Sequence, residues 1–173
     1  MQTRNLKYNE NGSIDMEIEH DTYGWIPFTA SPDDSAELGR ELHAAALAGN
    51  LGSIITFVKP LGKAVEEQLK LIENAYLVAS TLPILSSGSN FQTDDYSTTL
   101  MNKVLSTLTA AGGTSGVTWW NVDNVGVNLT YAEFSDLCLS ILLRNQSLFA
   151  TKQAIKSLIR AATTVAQVEA ITF

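Results

Sequence analysis

The sequence predicts an α+β fold with a sheet-plus-helix lobe over residues 1–59, a connecting helix and loop over 60–90, and a mainly helical lobe with a β-hairpin over 91–173. Three observations support this prediction. Apolar and acidic residues alternate over 13–19, apolar residues recur at helical spacing over 60–82, and capping-box patterns begin at Thr130 and Thr164. Alternation is typical of a half-buried strand, whereas helical spacing indicates one buried helix face.

The first lobe begins with a predicted hairpin, because Asn11-Gly12 is a strong signal for a tight turn between strands. Residues 23–28 are rich in aromatic side chains, and Pro27 favours an edge strand or an irregular extended stretch. Ser31, followed by proline and two aspartates, predicts a helix from there to about residue 48. Residues 54–58 resemble a short strand that returns to the hairpin, which gives a three-stranded sheet with one helix.

The rest of the chain is predicted to be mainly helical. An amphipathic helix covers 60–82, a loop covers 86–90, and a second helix runs from Thr93 or Asp94 to Gly112. Its apolar residues at four-residue spacing are Tyr96, Leu100, Val104 and Leu108. Strands over 117–121 and 125–129 form a hairpin. The Thr130 capping box starts either one helix to Ala161 or two helices that join near Asn145, and a last helix follows over 164–171.

Composition and charge narrow the classes of function. The chain of 173 residues has a net charge of −7, with four basic and nine acidic residues in 1–60 against seven and nine in 61–173. An acidic chain disfavours nucleic acids and anionic membranes as partners. No apolar run is long enough for a transmembrane helix, and we expect no secretory signal. Cys138 is the only cysteine, so the fold needs no intrachain disulfide, as in a reducing cytoplasm.

The residues that usually carry catalysis or bind metals are few and scattered. His20 and His43 are far apart in the sequence, and Cys138 lies among leucines, which favours a buried, inert thiol. The paired aspartates at 33–34 and 94–95 stand at predicted helix starts, where capping explains them. We therefore expect no catalytic residue, no metal site and no cofactor. Lys152, Lys156 and Arg160 form a basic stripe, interpreted as a solvated face, with a docking stripe for an acidic partner as the alternative.

Apolar and aromatic residues are the candidates for partner binding. Adjacent tryptophans in a strand point to opposite faces, so one of Trp119 and Trp120 is expected in the core and the other exposed. The second predicted helix, α2 over 60–82, carries apolar residues at nearly heptad spacing, which we call the α2 seam: Leu61, Val65, Leu69, Ile72 and Tyr76. It packs either on another copy or partner, or on the chain's own C-terminal lobe. The candidate residues are Tyr23, Trp25, Phe28, Leu61, Val65, Leu69, Ile72, Tyr76, Trp119 and Trp120.

Two stretches of the sequence carry a family resemblance. Residues 20–34, with the run Tyr-Gly-Trp-Ile-Pro-Phe-Thr-Ala at 23–30, resemble the opening motif of small proteins encoded beside tail-fibre genes of tailed bacteriophages. Phe91-Gln92-Thr93-Asp94, the run 120–124, Leu129-Thr130 and the run 161–164 look like an uncharacterised phage and prophage domain that often follows that motif. Relatives often carry a Pro/Ala-rich tether where this chain has the apolar helix over 61–82.

The resemblance implies a phage tail-fibre-associated protein, and that family contributes no known catalytic residues. The expected function is a non-enzymatic tail protein that binds the tail fibre or baseplate, as a structural connector or as an assembly chaperone. It would act in the host bacterial cytoplasm during assembly or remain in the virion tail. Because tailed-phage fibres are commonly trimeric, the resemblance suggests a homotrimer or one copy per fibre site. The alternatives are a saccharide-binding module for the host surface and, least favoured, an envelope hydrolase.

Overall fold

A computed structural model describes all residues, 1–173, and confirms the α+β class. The chain divides into two compact units, Met1–Pro60 and Leu61–Phe173. The first unit contains β1 (Thr3–Tyr8), β2 (Ile14–His20), β3 (Gly24–Ala30) and α1 (Glu37–Leu47). The second unit contains α2 (Leu61–Thr81), β4 (Ile84–Ser86), β5 (Ser89–Phe91), α3 (Asp95–Ala110), β6 (Val117–Trp120), β7 (Gly126–Leu129), α4 (Tyr131–Ala161) and α5 (Val165–Glu169).

The first unit is an antiparallel sheet in the order β1-β2-β3, with α1 packed on one face. The alternation over 13–19 has the predicted effect, because Ile14, Met16 and Ile18 are all buried beneath α1 residues such as Leu42. Gly12 has a φ of +83°, which is the left-handed conformation that the predicted turn requires. Pro27 lies in the edge strand β3, where its missing N–H breaks no ladder on the open side.

Helix α1 begins later than predicted, at Glu37 and not near Ser31. The Asp34 carboxylate accepts a hydrogen bond from the Ala36 N–H at 2.9 Å, and the Ser31 carbonyl accepts one from the Asp34 N–H at 3.3 Å. These side-chain and turn bonds compete with helix formation, so the capping signals at 31–34 produce a turn.

Residues 54–58 do not form a strand, which corrects the predicted composition of the sheet. They make one parallel bridge, in which Ile55 exchanges backbone hydrogen bonds with the Leu6 carbonyl and the Tyr8 N–H, each at 2.9 Å. The third strand is β3, which pairs with β2 over its whole length because only a short turn separates the two. Local pairing of consecutive strands therefore prevails over the distant apolar segment.

The second unit has two clusters of buried side chains, both built on α4, a single helix of 31 residues. The first half of α4 packs with α3 and the two hairpins, around Phe91, Met101 and Phe134. The second half packs with α2 and α5, around Ile72, Ile159 and Val168. Thr130 and Thr164 form the predicted capping boxes of α4 and α5.

Two features of this unit differ from the predictions. The residues of the predicted loop 86–90 belong to a hairpin, β4–β5, whose turn residues Ser87 and Gly88 have φ values of +46° and +75°. Two positive φ angles in a two-residue turn are typical of a tight hairpin, but strands of three residues leave no alternation to detect. On α3, Tyr96 and Leu100 are exposed, and the fully buried residue is Met101.

Candidate functional site

The three aromatic candidates of the first unit have different environments. Tyr23 is exposed and its ring centroid lies 4.9 Å from that of His20. Trp25 lies on the open face of the sheet, with the Arg4 guanidinium 4.2 Å above its ring, and Arg4 also forms an ion pair with Glu17. Phe28 is not a surface residue of this kind, because it pairs with Met16 and packs against the core beneath α1. Tyr23 is therefore exposed to a partner, and Trp25 is half-buried, with Arg4 over its ring.

The two tryptophans of the β6–β7 hairpin divide as their alternation predicts. Trp119 points inward, where its ring centroid lies 5.3 Å from that of buried Phe134. Trp120 is 62% exposed. Thr118 lies on the same strand face as Trp120 and donates a hydrogen bond of 2.6 Å to the Asn128 side chain on β7. This face of the hairpin thus presents one free aromatic ring beside two polar groups.

The α2 seam packs on the chain's own C-terminal lobe, which is the second of the two predicted arrangements, so most of it is not a free surface. Ile72 is buried, and Val65 and Leu69 pack in the same cluster with residues of α4 and α5. Tyr76 makes edge contacts with Phe149 and Phe173, at centroid distances of 6.5 and 6.4 Å. Leu61, at the first turn of α2, is the most exposed of the five. The helix over 61–81 therefore belongs to the second unit and does not stand apart as a connector.

Two residues of the basic stripe, Lys152 and Lys156, are turned inward, which corrects their interpretation as part of a solvated face or a docking stripe, whereas Arg160 is exposed. Both ammonium groups bind the Glu73 carboxylate of α2, at 2.9 and 2.6 Å. Lys152 is buried, with its ammonium group 3.6 Å from the centroid of the Tyr76 ring. Hydrogen bonds from Lys156 and then Lys152 lower the pKa of Glu73. These four residues join α2 to α4.

Arg144 makes a second polar connection between the same helices. Its guanidinium donates hydrogen bonds to the carbonyls of Leu82 and Ser80, at 2.6 and 2.7 Å, and to the Thr93 hydroxyl at 2.8 Å. Thr93 in turn donates to the Leu82 carbonyl at 2.8 Å. Partial burial lowers the pKa of Arg144. A positive charge at the C-terminal end of α2 also complements the helix dipole.

An apolar groove lies between α3 and α4, with a cavity volume of about 380 Å³. Met101 and Leu105 from α3 and Leu139 and Leu142 from α4 form its apolar walls. Its rim consists of uncharged polar side chains: Thr98, Asn102, Ser135 and Asn145. Cys138 is the only titratable residue in the lining, and burial raises the pKa of its thiol to about 11. A thiol in this state is a poor nucleophile at neutral pH, so the groove offers apolar contact and no acid–base chemistry.

The α4 helix continues the groove as an exposed apolar surface, which we call the outer stripe and which consists of Leu139, Leu142, Leu143 and Phe149. Each of these side chains is about half exposed. Leu139, Leu142 and Leu143 point away from the buried Leu137 and Ile141, whereas the ring of Phe149 also contacts Tyr76 of α2. The outer stripe has no distinct signal in the sequence, because apolar residues surround the helix in this segment and their periodicity does not separate the buried side from the exposed side.

The remaining titratable candidates are separate from one another. His20 accepts a hydrogen bond from the Thr22 N–H at its Nδ1 atom, and His43 Nε2 lies 3.2 Å from the Gly12 carbonyl. No three side chains of His, Cys, Asp or Glu come together in a way that could hold a metal ion. No helix is both long enough and apolar enough to cross a lipid bilayer.

One family model matches the chain, over residues 63–172, and its description is a domain of unknown function, DUF4376. The chain belongs to the DUF4376 family. The match covers nearly the whole second unit, so α2, both hairpins, the groove and the outer stripe all lie in the DUF4376 domain. No curated protein and no solved structure matches the chain.

Proposed function

We propose that this chain is a non-enzymatic protein of a phage tail that binds the tail fibre or the baseplate. The observation that carries the proposal is the run Tyr-Gly-Trp-Ile-Pro-Phe-Thr-Ala at 23–30, which resembles the opening motif of proteins encoded beside tail-fibre genes. This run forms β3 and the turn before it, in a unit with its own core. The chain has two units, the first over 1–60 and the DUF4376 unit over 61–173. This division supports the role of a connector between two tail proteins, because each unit can bind a different partner.

The proposed contact in the first unit is made by Tyr23 and Trp25. Tyr23 is 74% exposed, and Trp25 lies beside an ion pair on the open face of the sheet. Tyrosine, tryptophan and arginine side chains are enriched at the centres of protein interfaces. The acidic excess of residues 1–60 favours a basic or neutral surface on the fibre or baseplate.

The test is co-purification of the tagged 173-residue chain with the tail-fibre and baseplate proteins of a tailed phage that encodes it. We expect one of them to be retained, and the variant Tyr23→Ala with Trp25→Ala to lose it at least tenfold. Tyr96→Ala is the matched control, because Tyr96 is equally exposed, at 78%, but lies on α3. Retention of no tail protein, or equal loss in the control, would refute the proposal.

Mass spectrometry of purified virions then separates the two roles. The chain's presence in the tail marks a structural connector. Its absence, combined with fibreless particles when its gene is deleted, marks an assembly chaperone that acts in the host cytoplasm. Normal fibres in the deletion strain without the chain in wild-type virions would contradict both roles.

A saccharide-binding module is the second candidate, and the exposed Trp120 ring favours it. Sugar rings stack on aromatic faces, and the neighbouring Thr118 and Asn128 offer hydrogen bonds to hydroxyl groups. Titration with host surface polysaccharide should quench tryptophan fluorescence, and Trp120→Ala should abolish this change while Trp25→Ala retains it. Absence of quenching at millimolar saccharide would exclude this candidate.

A further inference from the structure

We propose that the groove between α3 and α4 is a binding site for a small neutral molecule that has an apolar body and a hydrogen-bonding group at its edge. The inference rests on the second unit alone and does not depend on the proposed tail function. The groove is a concave cavity of about 380 Å³, and its lining combines a buried apolar floor with uncharged polar side chains at the rim. This combination is typical of sites for small organic ligands.

The floor of the groove consists of side chains that belong to the core of the second unit. Met101 of α3 and Cys138 and Ile141 of α4 are each at most 8% exposed, and Leu105 packs against them. A ligand in the groove would therefore contact apolar atoms that core packing already holds in place. An apolar cavity of about 150 Å³ can hold a benzene molecule, so about 380 Å³ leaves room for a molecule of two or three rings.

Three polar side chains at the rim have hydrogen-bonding groups that the chain leaves unused. The Asn102 amide and the Ser135 hydroxyl make no hydrogen bond to another residue, and the Asn145 side chain uses only its oxygen, which accepts from Arg144 at 3.4 Å. An amide offers donors and an acceptor, and a hydroxyl offers both roles. These groups can therefore bind a carbonyl, hydroxyl or amine group at the edge of a ligand whose body covers the floor.

The absence of charge from the lining indicates a neutral ligand. No Asp, Glu, Lys, Arg or His lines the groove, and the exposed Asp136 lies outside it. The guanidinium of Arg144, next to Asn145, is bound to carbonyls at the C-terminal end of α2. An ionic ligand would have to leave water for an apolar floor without an opposite charge to bind, which is strongly unfavourable.

The dimensions of the groove favour a small molecule over a partner protein. Its lining extends along α4 from Ser135 to Asn145, a length of about 15 Å, and packed helices lie about 10 Å apart. The groove therefore offers an area of about 150 Å², whereas a stable protein–protein interface takes about 800 Å² from each partner. A molecule of two or three rings matches this area.

Titration of the 173-residue chain with N-phenylnaphthylamine tests the inference. This neutral fluorescent compound has an apolar ring system with one N–H group, and its emission rises when it leaves water. We expect the emission to saturate at one probe molecule per chain. Anilinonaphthalene sulfonate has the same rings and a negative charge, so we expect it to bind at least about tenfold more weakly.

The three methionines of the chain report where the probe binds. Met101 lies in the floor of the groove, Met16 in the core of the first unit, and Met1 at the exposed N-terminus. In a chain with isotope-labelled methionine methyl groups, the probe should shift the Met101 resonance in the NMR spectrum and leave the other two unchanged. An unchanged Met101 resonance, or an equal shift of Met1 or Met16, would overturn the inference.

Leu142→Glu and Leu143→Glu form a matched pair of variants. Both leucines are half exposed on α4, at 54% and 55%, but only Leu142 lines the groove. Leu142→Glu should weaken binding of N-phenylnaphthylamine at least about tenfold, because it places a carboxylate in the apolar wall, whereas Leu143→Glu should bind it like the wild type.

The Met101 measurement needs no substitution, so it decides the question even if Leu142→Glu fails to fold. Equal affinity of the two folded variants for the probe would overturn the inference, as would equally tight binding of the anionic compound. Displacement of the bound probe by a tail protein that co-purifies with the chain would also overturn it, because the groove would then belong to a protein interface.

Discussion

Replacing Arg144 with alanine should detach the end of α2 from α4 and destabilise the DUF4376 unit. The guanidinium makes three hydrogen bonds of 2.6 to 2.8 Å, two of them to carbonyls at the C-terminal end of α2. A hydrogen bond to a charged group contributes about 1.5–3 kcal/mol when well shielded, and a cation at a helix C-terminus adds about 0.3–1 kcal/mol. Because Arg144 is partly exposed, we expect about 2–3 kcal/mol in total for Arg144→Ala, well below the sum of these terms.

Arg144→Lys separates charge from geometry. Lysine keeps the positive charge near the end of α2, but its single ammonium group cannot reproduce the planar fork that reaches the Ser80 and Leu82 carbonyls and the Thr93 hydroxyl together. We expect it to recover about half of the loss, roughly 1–1.5 kcal/mol. Thr93→Val alone should lower the free energy of unfolding by about 1 kcal/mol. Arg144→Ala combined with Thr93→Val should lower it by less than the sum of the two single losses, because the two residues share a hydrogen bond.

Urea unfolding followed by tryptophan fluorescence measures these changes. Trp119 and Trp120 both lie in the second unit, so a Trp25→Phe background reports on that unit alone. The reasoning is refuted if Arg144→Ala lies within 0.5 kcal/mol of the background protein, a difference typical of an unimportant surface substitution. It is also refuted if Arg144→Lys is as stable as arginine, because the geometry of the fork would then be irrelevant.

Three further predictions concern the same unit. Phe134→Ala should lower the free energy of unfolding in urea by about 3–5 kcal/mol, because Phe134 is fully buried against Trp119. Phe149→Ala should lower it by less than half as much, because Phe149 is half exposed. Equal losses would contradict the assigned core. The ion pairs of Glu73 lower its pKa in the folded protein, so they stabilise the fold above its ordinary pKa of 4.5, and this stabilisation is lost as the pH falls through the lower folded pKa. The difference in free energy of unfolding between wild type and Glu73→Gln should therefore shrink below pH 4.5. A constant difference from pH 7 to pH 3 would contradict this. Cys138, with a pKa of about 11, should react with a thiol reagent at pH 8 at least a hundredfold faster in urea than when folded; rapid labelling of the folded chain would contradict its burial.

The sequence was sufficient where a local signal acts without competition. The alternation at Ile14, Met16 and Ile18 predicted the buried face of β2, and the capping boxes at Thr130 and Thr164 predicted the starts of α4 and α5. These signals depend on neighbours within a few residues, so the rest of the fold does not alter them. The same holds for the opposite orientations of the two adjacent tryptophans.

The sequence was insufficient where distant segments compete for one position. The segment 54–58 has the composition of a strand, but the position beside β2 is occupied by β3. The segment therefore makes only one bridge, which is to β1. The site was affected in the same way. The spacing of Lys152 and Lys156 predicts a solvated stripe, but both bind Glu73 of α2, which lies 79 and 83 residues earlier in the chain. Contacts between residues so far apart in the chain leave no periodic pattern in the sequence, so the sequence alone did not predict them.

The two inward-facing polar groups on α4 explain why its outer stripe is left free. Arg144 and the pair Lys152 and Lys156 direct their charges toward α2, where Glu73 and the helix C-terminus neutralise them. A typical amphipathic helix turns its charged residues to water and its leucines to the core. In α4, Arg144, Lys152 and Lys156 lie on the inner side, whereas leucines and Phe149 are about half exposed on other sides of the helix. Because Arg144 and Glu73 both hold α2 on the inner side of α4, Arg144→Ala and Glu73→Gln should each lower the free energy of unfolding measured in urea at pH 7. An unchanged free energy of unfolding in both variants would contradict this arrangement.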